Sequence, residues 1–268
     1  MTAPPPGVLA AFGVSGSPHR LVGGMGRTWV VGDVVLKPID HHPEHAWVCE
    51  VYDGWSSDAV AVPRPLRAGD GWSADGWGAH VLVPGKTALA GDDRDWFRGV
   101  HDAFHEAVAG LPRPDFLDAR HDAWSYGDRL AWEGVAPMGE PRTISLIRRA
   151  LDLMAPVDLA SQVVHGDLAG NVLRDGDRAA VIDWPPYWRP RAWALAVVAT
   201  DAICWEGADP SLLDEWSDGP DWLQLVLRAA VFRMGTRAFN EAHGLAAVDE
   251  DEFVAGKALL LDAVEARL

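Results

Sequence analysis

The stretch Val163-Val164-His165-Gly166-Asp167-Leu168-Ala169-Gly170-Asn171-Val172-Leu173, followed after a short turn by Val181-Ile182-Asp183-Trp184, decides how the rest of the chain is read. Two apolar runs rich in β-branched residues are each bounded by turn formers, which predicts two short buried strands. The first delivers Asp167 and Asn171 into a loop, and the second carries Asp183 at its end. Between them Arg174-Asp175-Gly176-Asp177 holds the Asp-Gly step of a tight hairpin. Two carboxylates and an amide would then project from the ends of neighbouring strands. Such oxygens suit a hard cation that keeps several waters, above all Mg²⁺ held against phosphates. They also suit phosphoryl transfer, in which one Asp orients a hydroxyl and accepts its proton while an Asn and a second Asp hold the metal. The plain alternative is a solvated hairpin in an unrelated α+β domain, with Asp and Asn serving turns.

The ordered set His165-Gly166-Asp167, Asn171 and Ile182-Asp183-Trp184 resembles the aminoglycoside phosphotransferase and choline kinase-like family, distant relatives of protein kinases. By that resemblance Asp167 is the catalytic base, and Asn171 and Asp183 are the metal ligands. The resemblance also implies an α+β, two-lobed protein-kinase-like fold. A small antiparallel-sheet lobe over residues 1–83 would bind the nucleotide, and a larger, mainly helical lobe over residues 84–268 would carry the catalytic and acceptor groups. Two departures stand out. The interval from Asp167 to Asn171 is one residue shorter than the family's usual one, so the loop must be tighter, and Gly170 offers the backbone freedom. Family members often place a further Asp at the head of the helix after the second metal ligand. Here Arg191-Ala192-Trp193-Ala194-Leu195-Ala196 supplies no acid.

Upstream, Leu21 to Val31 carries the glycine cluster Gly23, Gly24 and Gly26, and Gly32-Asp33 turns the chain into Val34-Val35-Leu36-Lys37. This predicts strand, glycine loop, strand, turn, strand. Glycine amides can approach phosphates closely, and Lys37 can add a positive charge there. Residues 43–55 predict a helix with Trp47, Val48, Val51 and Trp55 on one face. Within it Glu50 is the partner that the resemblance implies for Lys37, with Glu44 as the alternative. A hairpin is predicted over residues 72–83, ending at Pro84-Gly85, where the resemblance puts the hinge between lobes. Backbone groups of Val81 and Val83 would contact a nucleobase there, with His80 near the back of the pocket.

Downstream of the hinge, residues 93–111 have helical spacing. His101 and His105 lie four apart on it, and with no further ligand at a suitable spacing they read as a half-exposed face rather than a metal site. Residues 112–140, with Pro112, Pro114, Gly127, Gly134 and Pro137, read as a loop-rich mouth on the acceptor side. Helices are predicted over residues 143–154, 191–205, 221–240 and 249–268. His165 reads as a brace for the catalytic loop. Arg189 either meets a phosphate or pairs with an acid, and Asp201, Glu206 and Asp209 are acids that could bind an ammonium or simply end helices.

The 268-residue chain, 49% hydrophobic, can build one large domain or two lobes. A net charge of -16, with no basic run, argues against nucleic acid or anionic membrane as a partner. It tilts the acceptor towards a cationic small molecule. Cys49 and Cys204 stand far apart in apolar patterns and read as buried small residues. The first residues, Met1-Thr2-Ala3-Pro4-Pro5-Pro6, lack the basic start and apolar run of a secretion signal, so the expected location is cytoplasmic. The function that these readings imply is an ATP- or GTP-dependent, Mg²⁺-requiring phosphotransferase acting on a hydroxyl or amine of a small molecule. Its rivals are a nucleotide-binding pseudokinase without turnover and, further off, a metal-dependent hydrolase that would leave the glycine cluster, Lys37 and Glu50 without a role.

Overall fold

In chain order the elements are α1 (Pro6–Ala11), β1 (His19–Arg20), β2 (Trp29–Val31), β3 (Val34–Pro38), α2 (His42–Asp53), β4 (Ser73–Ala74), β5 (Trp77–Val81) and β6 (Lys86–Thr87). There follow α3 (Arg94–Val108), α4 (Ala123–Glu133), α5 (Pro141–Asp152), β7 (Gln162–His165), β8 (Val172–Asp175) and β9 (Arg178–Val181). Last come β10 (Pro186–Arg189), α6 (Arg191–Trp205), α7 (Leu212–Glu215), α8 (Trp222–Ala242) and α9 (Glu250–Glu265). The computed structural model describes residues 2–21, 26–245 and 250–268. Gly23 and Gly24 of the glycine cluster, and Asp249 at the start of the last predicted helix, lie outside the described residues.

The chain divides into two units, one of residues 1–87 and 171–185, the other of residues 88–170 and 186–268. This division differs from a single cut after residue 83. The β8–β9 hairpin joins the first unit because β6 pairs with β8 and Ala61 bridges Ala180. In that unit β1-β2-β3-β5-β4 form an antiparallel sheet in that order. Alternation along the strands turns Val31, Val34, Leu36, Trp77 and Ala79 inward, where Val8 and Leu9 of α1 and the adjoining Phe12 cover them. α2 starts where the imidazole of His41 accepts the Glu44 N–H at 3.3 Å.

The second unit is mainly helical. Its strands β7 and β10 pair antiparallel, His165 opposite Pro186 and Gln162 opposite Arg189, and α3 and α6 pack on β7. Two expectations are corrected here. Val163 and Val164 lie in β7, which pairs with β10 and not with β9, whereas the expected Asp-Gly hairpin does form, with Val172 and Leu173 of β8 facing Val181 and Ala180 of β9. Pro186 opens β10, an arrangement that a first-position proline permits. The supposed loop over residues 112–140 contains the eleven-residue helix α4, N-capped by Asp122 (Ser125 N–H to Oδ1, 2.7 Å) and ended by Gly134. Gly127 is no loop signal. It lies where α4 crosses α8, and a Cβ there would overlap the Phe232 carbonyl; one on Gly235 would come within 2.8 Å of the Gly127 Cα. Apolar on every side, α6 is buried as its composition requires. No helix among the described residues is long and apolar enough to cross a membrane.

Candidate active site

The β8–β9 hairpin places two of the expected groups at its open end. Val172 pairs with Val181, and one step further the Ile182 N–H donates to the Asn171 carbonyl at 2.9 Å, so Asn171 lies opposite Ile182 and Asp183 follows one residue on. Trp184, buried, anchors this end to α2: its ring is 5.3 Å from that of Trp47 and stacks 5.8 Å from Tyr52. Asp183 takes a φ of 53°, a left-handed conformation uncommon for any residue but glycine. Its carboxylate meets the Lys37 ammonium of β3 at 2.8 Å. Lys37 and Asp183 are thus brought together within one unit, although 146 positions separate them.

Other expected groups of this unit fall as follows. Glu50 is exposed on α2, and the ion pair of Lys37 is with Asp183. Gly26, the described member of the glycine cluster, has a φ of 63°. The Val81 N–H donates to the Arg64 carbonyl at 2.9 Å and the Leu82 N–H to Asp33 at 2.7 Å, so both are spent inside the sheet. Among the described residues no backbone acceptor takes the Val83 N–H. His80 packs against His45 (rings 5.9 Å apart) and Cys49, and burial first, then the neighbouring His45, pushes its pKa down to about 4. Burial likewise pushes the Cys49 thiol up to about 12, so it is inert.

Asp167 belongs to the other unit, where a ladder of histidines supports it. The Asp167 N–H donates to His165 Nδ1 at 3.1 Å, and the His165 N–H donates to His105 Nε2 at 3.1 Å. His105 Nδ1 in turn donates to the His101 carbonyl at 2.7 Å, and His101 Nδ1 donates to Asp102, which Arg191 also holds. His101 and His105 are therefore fully buried, not half-exposed as their spacing suggests. Burial keeps both neutral by lowering their pKa values, and accepting an N–H at Nε2 fixes His105 as the Nδ1-protonated tautomer. Gly166 is required by contact: an added Cβ would run into the Tyr187 ring, which Arg120 holds from its other side at 4.9 Å.

The Asp167 carboxylate receives Nη2 of Arg233 at 2.6 Å. Arg233 is buried on α8 and its Nε also donates to Asp201 of α6 at 2.9 Å. Burial alone would lower its pKa; Asp201 and Asp167 more than offset that and raise it. Residue patterns gave Arg233 no role, and they gave Asp201 that of an ammonium ligand or a helix end, not that of a partner to Arg233. Arg189 resolves to an acid, with a two-pronged pair to Asp128 at 2.8 and 2.7 Å. Glu206 accepts the Ala90 N–H at 3.1 Å, and burial raises its pKa.

Among the described residues no group of three or more His, Cys, Asp or Glu is placed to hold a metal, and His101 and His105 make none. Asn171 and Asp183 still fit Mg²⁺. One amide and one carboxylate at a hairpin end are the few protein ligands such an ion takes when phosphates and waters supply the rest.

No protein-family model matches the chain, and no curated protein matches it in sequence. Solved structures do. A thermostable mutant of the aminoglycoside phosphotransferase APH(4)-Ia, in ternary complex with AMP-PNP and hygromycin B, shares 17% identity over 97% of this chain and 96% of that one, with a TM-score of 0.61. A choline/ethanolamine kinase family protein from Mesorhizobium loti shares 17% over 95% and 94%, at 0.63. The chain has the fold of the aminoglycoside phosphotransferases and choline kinase-like proteins. Macrolide 2'-phosphotransferase MphH from Brachybacterium faecium shares that fold at 16% identity over 95% of each chain, TM-score 0.55. In this kinase-like fold the small antiparallel sheet and the mainly helical part match the two lobes expected from the motif.

Proposed function

We propose that this protein transfers the γ-phosphate of ATP or GTP to a hydroxyl or amine of a small molecule. The observation that carries the reading is the pairing of Lys37 with Asp183 at 2.8 Å, made by an Asp in left-handed backbone. With the Asp183 side chain 56% exposed, such a pair adds only about 0–1 kcal/mol to stability. Left-handed backbone is uncommon for a non-glycine residue, though Asp and Asn adopt it more readily than the others. Stability therefore does not account for the arrangement, and strain of this kind gathers where chemistry needs it. Lys37 steadies the nucleotide phosphates, Asn171 and Asp183 hold Mg²⁺, and Asp167 orients the acceptor and takes its proton. Bound there, Mg²⁺ would neutralise charge on the transferring phosphates. The cocrystals of relatives of this fold with AMP-PNP, or with ADP, and hygromycin B support a nucleotide and a small acceptor.

The acidic balance favours a cationic acceptor, but Asp201 is committed to Arg233, which removes one acid from the set that could bind an ammonium. A second reading, nucleotide binding without turnover, is favoured by the shortened interval between Asp167 and Asn171. ADP formation across a panel of amino sugars, aminoalcohols, macrolides and nucleosides separates the two. Turnover that falls roughly 10²–10⁴-fold in Asp167→Asn is the expected result. Tight Mg-ATP binding with no ADP formed from any acceptor would favour the second reading.

A further inference from the structure

Arg233 reaches Asp167 from α8, 66 positions further along the chain, and does so while nine-tenths buried. Its planar fork is held through Nε and Nη2 and by two aromatic rings, while Nη1 is buried without a hydrogen-bond partner among the described residues. Nε and Nη2 bind Asp201 of α6, Nη2 also binds Asp167, and the guanidinium lies 5.4 Å from the Trp124 ring and 5.1 Å from that of Phe232. Asp201 alone would neutralise a buried arginine, and it is as buried as its partner. The additional bond goes to a carboxylate that is one-third exposed at the mouth of a shortened loop. That loop lacks the acid expected at the head of α6. Its backbone is fixed by the His165 imidazole, and its carboxylate by Arg233.

We infer that Arg233, held in place by Asp201, is the positioning residue that aims the Asp167 carboxylate for phosphotransfer, in place of the missing acid. This rests on the phosphotransfer reading above. The two-pronged Nε and Nη2 pair with Asp201 fixes the guanidinium plane in a way a point charge could not be fixed. The single Nη2 bond then sets the Asp167 carboxylate, and misplacing a catalytic group by about 1 Å costs on the order of 10²-fold in rate. Titratable groups about the pair include His165 of β7, Cys204 of α6, Glu206 just past α6 and Lys257 of α9.

The test compares wild type with Arg233→Lys, and with the double variant Arg233→Met/Asp201→Leu, which replaces the buried pair by apolar groups and so leaves no orphaned charge. Expected is a fall in kcat on the order of 10²-fold in both, with Mg-ATP affinity by calorimetry unchanged. The acid limb of the pH–rate profile should move up only in the double variant, which removes the cation. Folded variants with wild-type kcat and an unmoved limb would overturn the inference, as would a loss matched by equal loss of nucleotide binding. Should wild type bind Mg-ATP but form no ADP, the phosphotransfer reading fails on its own. The carboxyl carbon-13 resonance of Asp167, assigned with Asp167→Asn, then serves: its chemical shift at pH 7 should differ between wild type and the double variant, and an unchanged shift overturns the role of Arg233.

Discussion

Asp183 is the residue in which conformation and chemistry are most plainly traded. Asn tolerates left-handed backbone as Asp does, so Asp183→Asn should leave unfolding free energy within about 0.5 kcal/mol of wild type. It should still weaken metal-dependent nucleotide binding, because an amide offers a cation less charge. Denaturant titration beside nucleotide binding checks both halves. His105 is a second case. Its pKa lies below the 6.5 of an unperturbed His because of burial first and the neighbouring His101 next, so the unfolded chain takes up protons before the folded one does. The stability it contributes is present above about pH 6.5 and is lost as pH falls below that value. Thermal unfolding of wild type should accordingly weaken from pH 7 towards pH 5. His105→Ala, which also strands the His165 N–H, should cost about 1–3 kcal/mol at pH 7 and show a flatter acid slope. An unchanged slope would remove His105 from this account. Asp167, Asn171, Asp183 and Lys37, the residues proposed to carry the chemistry, could be nominated from the sequence because residue type and order are what the motif reads. Arg233 was not, since its meaning comes from a contact between helices.

Elements were legible wherever periodicity spoke alone. α6 spans the predicted residues 191–205, and α3, α5 and α8 differ from expectation by a few terminal residues. α4 and β10 were missed for different reasons. Gly127 looked like a break, but it is small so that α4 can approach α8 closely. β10 had no strand pattern to announce it, because Pro186 occupies its first position. Gly127→Ala, usually favourable in a helix, should therefore destabilise by about 1–3 kcal/mol through overpacking, read as a lower denaturation midpoint with unchanged m-value. A midpoint equal to or above that of wild type would show that α4 and α8 can separate without cost. Trp184 acts at the same scale, fastening the end of β9 to α2 through Trp47 and Tyr52.

At the scale of the molecule, the motif announced a kinase-like fold that matches solved structures at only 15–17% identity for the APH(4)-Ia forms. A handful of oxygen donors in fixed order thus carried more of the fold than the rest of the sequence. The division of the chain was harder to read, because a hairpin late in sequence belongs with the early strands, and that depends on the β6–β8 pairing of two residues. The nucleotide half is open to direct test. Calorimetric titration of ATP and GTP with and without Mg²⁺, on wild type and Asp183→Ala, addresses the central claim. The account predicts Mg²⁺-dependent binding of at least one nucleotide to wild type, lost in the variant while its fold persists. Binding that is equal in the variant, or no binding to wild type under any condition, would contradict it.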